Sequence, residues 1–189
     1  MKVEQITKHY EEKLIFQDYD LLMEEGKIYG LMGPSGRGKT TLLRIIAGLE
    51  EVEKGSVSFE KEALFSMVFQ ENRLFEWENV WKNIALVVGK KKEQTERIKD
   101  HLRRVGLFSA WNVRVRELSG GMKRRVAIVR AMMADSNYIL MDEPFTGLDE
   151  ATKKLVIQYV LEEQKGRTIV IATHSEEELS LLQAKKVLI

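Results

Sequence analysis

Four short apolar runs stop abruptly at a polar residue or a glycine. IYGLM (28–32) runs into Gly33, SMVF (66–69) into Gln70, YILM (138–141) into Asp142, and TIVIAT (168–173) into His174. Runs this short and this uniformly apolar suit strands buried on both faces, as in a parallel sheet. Between them the period changes. Leu42, Leu43, Ile45 and Ile46 predict a helix over 40–47 that Gly48 can stop. Met122, Val126, Val129 and Met133 recur at spacings of three and four and predict a second helix over 122–134. Strand alternating with helix implies an α/β fold with a mostly parallel sheet. Functional residues then collect at the carboxyl ends of the strands.

From about 71 to 117 this alternation lapses. Helical spacing returns over 80–86 and 94–105, where Ile98, Leu102 and Val105 share a face, and KKKE (90–93) reads as a solvated loop between them. The stretch predicts a helical subdomain inserted into the α/β core of one domain covering 1–189. Size agrees, because 189 residues that are 44% hydrophobic support one core and are few for two. Lys+Arg (30) and Asp+Glu (29) nearly cancel, so no broad basic surface for nucleic acid is expected. The absence of Cys excludes disulfide frameworks and thiolate metal sites, and suits a reducing compartment. MKVEQITKHYEE carries no apolar signal core, and IALVV (84–88) is far short of the ~20 residues that span a bilayer. Work at a membrane would need a partner to supply the membrane part.

The stretch GPSGRGKTT (33–41) then changes the picture. Gly33, four residues, and Gly38-Lys39-Thr40 fit the pattern G-x-x-x-x-G-K-[ST], with a buried run before and a helix after. Glycines at 33, 36 and 38 let backbone N–H groups converge on one anion. The helix that follows adds its dipole and its free N–H groups. Lys39 is placed for β- and γ-phosphates, and Thr40 for Mg²⁺. A tight turn with an exposed lysine would give the same eight residues. The strand–loop–helix context favours phosphate, with Gly33, Pro34, Ser35, Gly36, Arg37, Gly38, Lys39, Thr40 and Thr41 as the nucleotide-binding loop. Arg37 points to phosphate or to solvent.

Asp142-Glu143 after YILM supplies the complement. Asp142 would orient a hard cation through oxygen, and Glu143 would polarise an attacking water. LSGGM (118–122) opens the next helix with Ser119 as a good N-cap. By physics alone that segment is a capped helix start and no more.

The order of these segments resembles the nucleotide-binding subunit of ATP-binding cassette (ABC) transporters, over nearly the whole chain. The phosphate loop is followed by a Q-loop glutamine, Gln70, the signature LSGGM, the acidic pair, a D-loop TGLD with Asp149, and a switch histidine, His174, in ATHS. Tyr10, 29 residues before Lys39, stands where the family stacks an aromatic on adenine. The resemblance implies a P-loop fold with a small antiparallel β region, and a site shared by two chains packed head to tail around two ATP. Ser119, Gly120 and Gly121 of one chain would face the γ-phosphate held by Lys39 of the other. Glu143 would be general base, and His174 and Gln70 would complete the catalytic geometry. Thr40, Gln70 and Asp142 would serve Mg²⁺, and Asp149 would cross the interface. The partners implied are a second cassette, a membrane permease and a solute-binding protein, with the chain on the cytoplasmic face of the membrane. In relatives the segment after the Q-loop docks the permease, which makes Phe75 and Trp77 candidate contacts.

Met122, where most of the family has Gln, with the basic KRR after it, resembles importer cassettes of the nitrate, sulfonate and taurine group. Departures are minor. Only 30 residues separate Lys39 from Gln70, so a trimmed antiparallel region is expected near 55–60; RVRE (114–117) lacks a proline; and no C-terminal regulatory domain is expected. A non-transport cassette acting on nucleic acid or ribosomes, or an ATP-sensing module, stays open as an alternative. His9 and His101 sit in polar stretches and are given no role.

Overall fold

The computed structural model describes residues 1–89 and 92–189. The chain opens with β1 (Lys2–Tyr10) and β2 (Lys13–Leu22), followed by β3 (Ile28–Met32), helix α1 (Lys39–Ile46), β4 (Lys54–Ser58) and β5 (Phe65–Val68). Three helices come next: α2 (Val80–Val88), α3 (Lys92–Arg104) and α4 (Gly120–Met133). The remainder is β6 (Tyr138–Asp142), α5 (Glu150–Gln164), β7 (Thr168–Ala172), α6 (Glu176–Leu181) and β8 (Lys185–Leu188). Five strands form a parallel sheet in the order β5-β6-β7-β3-β8. Three form an antiparallel sheet in the order β2-β1-β4.

The uniformly apolar runs are explained by two cores. Ile139 and Met141 of β6, with Ile169 and Ile171 of β7, enter one core with residues of α2, α3, α4 and α5. Tyr138, Leu140, Val170 and Ala172 alternate into the other, built with α1 and the β1–β2 hairpin through Leu42, Ile46, Val3, Ile6 and Phe16. Each fully buried aliphatic contributes roughly 1.5–3 kcal/mol, which keeps the middle of β6 and β7 apolar until the strand leaves the core. Asp142 stands at that exit.

The β1–β2 hairpin escaped the hydrophobic pattern for a structural reason. Gln5 (φ 48°) and Asp18 (φ 45°) take left-handed conformations, and the register slips repeatedly between Val3 and His9. Each bulge resets the in–out alternation by which a half-buried strand is recognised. Two expectations are corrected. The segment 90–93 is not all loop: α3 begins at Lys92, while Lys90 and Lys91 lie outside the described residues. His101 is not in polar surroundings but buried, with Nδ1 2.8 Å from the Tyr159 hydroxyl. Its sequence neighbours are charged because they cover the outer face of α3, while His101 turns inward toward α5. Burial lowers its pKa, which favours the neutral ring.

Candidate functional site

Strand order brings four exits together. Gln70 follows β5, Asp142 ends β6, His174 follows β7 and Gly33 follows β3. All four strands are parallel, so these residues lie along one edge of the sheet. A cavity of about 300 Å³ opens there. Its walls include Ser35, Gly36, Gly38, Lys39, Thr40, Thr41, Gln70, Asp142 and Glu143, with Tyr10 on its rim side from the antiparallel sheet.

The loop from Gly33 folds around Lys39. Its Nζ donates to the carbonyls of Gly33 (2.7 Å) and Pro34 (3.0 Å), and the side chain is nearly buried. Gly36 (φ 75°) and Gly38 (φ 100°) occupy left-handed backbone that a larger residue resists. Gly38 is also the N-cap of α1, with no side chain capping it, so the first amides of α1 face the loop. Gly33 is also confined by a neighbour. A Cβ there would stand 2.7 Å from the carbonyl oxygen of Ile189, beyond β8.

Below the loop, Thr40 Oγ1 donates to Asp142 Oδ2 at 2.7 Å. A hydroxyl from α1 and a carboxylate from β6 thus meet across 102 residues of chain. Burial pushes the Asp142 carboxyl upward and Glu143 adds to the rise, while the Thr40 hydrogen bond and the Lys39 and Arg124 charges oppose it. The pair fits a Mg²⁺ ion, which takes oxygen ligands and few of them from protein. Glu143 has a left-handed backbone (φ 46°), and its N–H donates to the Ala172 carbonyl at 2.9 Å. Glu143 Oε1 lies 3.6 Å from Nδ1 of His174, whose ring is 73% exposed.

Other sequence-selected residues lie elsewhere. Ser119 and Gly120 are exposed at the start of α4, outside the cavity, and Ser119 Oγ accepts from the Met122 N–H at 3.3 Å. Gly121 packs on the turn before α5, where a Cβ would come within 3.2 Å of the Gly147 carbonyl. Asp149 caps α5, accepting from the Thr152 N–H (2.9 Å) and hydroxyl (2.7 Å). Arg37 lines a neighbouring hollow with Lys13, Leu14, Ile15, Ser35 and Gly36. Three contributors were missed. Lys13 and Ile15 of β2 line the main cavity, and Arg124 of α4 donates to the carbonyls of Phe69 (2.6 Å) and Gln70 (2.5 Å). Only their place in the fold identifies them.

Residues 16–146 match the family model described as ABC transporter. The chain is 38% identical over 191 residues to an aliphatic sulfonates import ATP-binding protein of Rhodococcus jostii, covering 97% of this chain and 76% of that one. A spermidine/putrescine import ATP-binding protein of Mesoplasma florum is 34% identical over 193 residues, covering 94% of this chain and 55% of that protein. The chain therefore spans about half the length of that second relative. Among solved structures, a dimeric ATP-binding cassette in a post-hydrolysis state bound to ADP and Pi superposes with a TM-score of 0.89 at 26% identity, covering all of this chain and 93% of that one.

Proposed function

The chain belongs to the ABC transporter family, and on that premise we propose that it is the ATP-hydrolysing subunit of a membrane transporter. The reading rests most on one contact: the Thr40 hydroxyl held on the Asp142 carboxylate beneath the Lys39 loop, with Glu143 the next residue. Lys39 and the loop amides bind the phosphates, and Tyr10 stacks on the base. Thr40, Asp142 and Gln70 are the residues that would hold Mg²⁺, which supplies neutralisation of phosphate charge. Glu143 takes the proton of the attacking water, and His174 steadies the terminal phosphate beside it.

The cavity is one half of the complete site. Ser119, Gly120 and Gly121 reach nucleotide only across a second copy, packed head to tail, and Asp149 lies at that contact. The exposure of Ser119 and Gly120 in a single chain supports this arrangement, as does the dimeric solved relative. Charge-assisted bonds across the interface last only while the terminal phosphate is present, so hydrolysis opens the dimer.

Among the described residues no helix is long and apolar enough to cross a membrane. In this reading the membrane path belongs to a partner permease, as in the import systems the relatives are named for. Phe75 (59% exposed) and Trp77 (74% exposed) offer it an apolar contact after the Q-loop. The import relatives support solute import; in this reading the chain works on the cytoplasmic face and a solute-binding protein delivers the cargo. A 71–117 helical subdomain carries that docking surface. Replacing Glu143 with Gln tests the core of this reading. Turnover should fall by about 10²–10⁴-fold, and ATP with Mg²⁺ should hold the variant as a dimer on size exclusion. A variant that stays monomeric under those conditions would refute the shared site.

A further inference from the structure

Helix α4 faces the segment after β5 with three cations. Lys123 Nζ lies 2.8 Å from Glu76 Oε1, Arg124 binds the Phe69 and Gln70 carbonyls, and Arg130 Nη2 lies 3.5 Å from the Asn72 carbonyl. Arg124 differs from the other two in geometry. It is 7% exposed, and its two terminal nitrogens go to successive carbonyls at 2.6 and 2.5 Å. Those carbonyls belong to the two peptide units that flank the Gln70 Cα. A planar fork that grips both peptides of one residue fixes that residue's backbone, and with it the direction in which its side chain leaves. The far end of the segment is held separately: buried Asn83 accepts from the Phe75 N–H (2.8 Å) and donates to the Phe75 carbonyl (3.1 Å).

Gln70 lines the cavity with Asp142 and Glu143, whereas Arg124 does not. Arg124 also sits five residues after Ser119, on the helix that Ser119 caps. We propose that Arg124 is a positioning residue that aims Gln70 at the Asp142–Glu143 pair and ties that aim to the helix carrying Ser119. Withdrawal of α4 would then carry Gln70 with it, so the glutamine is in place only when the Ser119 helix is. Lysine has three donors but no rigid planar fork, so on its flexible stem it holds the two carbonyls without fixing the orientation of both peptides. This inference rests on the ATPase reading above.

The test uses the full chain as wild type, Arg124→Gln, Arg124→Lys, Gln70→Ala and the double variant Arg124→Gln/Gln70→Ala. Loss of charge-assisted bonds predicts that Arg124→Gln lowers kcat by about tenfold or more. Affinity for ATP should change by less than about twofold, because no phosphate contact is removed. Arg124→Lys should fall between the two. On the Gln70→Ala background the Arg124→Gln change should cost less than about twofold, since a residue that acts through Gln70 has nothing left to aim. Hydrogen–deuterium exchange of residues 69–76 in nucleotide-free protein should be faster in Arg124→Gln and intermediate in Arg124→Lys. Equal kcat losses in both backgrounds, or unchanged exchange, overturn the proposal. If wild type shows no Mg²⁺-dependent ATP turnover, the ATPase reading fails instead, and exchange still decides whether Arg124 holds the segment.

Discussion

The Gly33–Thr41 loop and the Ser119–Gly121 turn both lead into a helix N-terminus, yet they end in opposite situations. Around α1 the antiparallel sheet brings Tyr10, Lys13 and Ile15 to one side and β6 brings Asp142 and Glu143 to the other, so the free amides close a cavity. At the start of α4, Ser119 and Gly120 stay uncovered among the described residues. Ser119 is exposed, and its hydroxyl accepts from its own helix at Met122. The difference teaches that a glycine-rich helix start becomes a binding site only when other elements supply concavity and charge. In this chain the described residues around the start of α4 supply no such wall, and the proposed function assigns it to a second copy.

The sharpest break between the two regions comes from Lys39→Ala. It removes the one cation folded into the loop, so ATP affinity measured by calorimetry should fall about 100-fold or more. Unchanged affinity would show that the loop does not hold the phosphates. Ser119→Arg should do the reverse: affinity of the isolated chain stays within about twofold, while turnover drops by about 10²-fold or more, because a donor at the transition state is lost and the interface is blocked. Full turnover in that variant would mean that one chain completes the site. Tyr10→Ala is the mildest. Loss of base stacking should weaken ATP by about tenfold and leave binding of inorganic triphosphate unchanged. Equal weakening of both ligands would assign Tyr10 to the loop and not to the base.

Legibility followed distance along the chain. The Gly33–Thr41 loop could be read because Gly36, Gly38, Lys39 and Thr40 are consecutive or nearly so, and their conformation and chemistry are local. Asp142-Glu143 could be read because a wholly buried strand announces its exit. Lys13 and Ile15 could not, since β2 is interrupted by bulges and reaches the cavity only through its pairing with β1. Arg124 looked like one more charge in KRR. Its neighbours Lys123 and Arg125 have their own partners, Glu76 and the carbonyls of Val105 and Gly106, and nothing in the local pattern separates the three. His101 was misjudged for the same reason: the charged residues beside it cover the outer face of its helix, while the ring itself turns toward Tyr159.

The sequence alone determined the four strands, of which β5 is only partly buried, the loop that follows β3 and the acidic pair at the end of β6, because short-range periodicity and backbone chemistry dictate each of them. Tertiary structure alone decided that Thr40 meets Asp142, that Gly33 must clear the Ile189 carbonyl, and that Arg124 grips the backbone on both sides of Gln70. Those contacts join segments far apart in the chain. They depend on strand order and helix placement, which burial of two whole faces of the sheet selects and no local window of residues encodes.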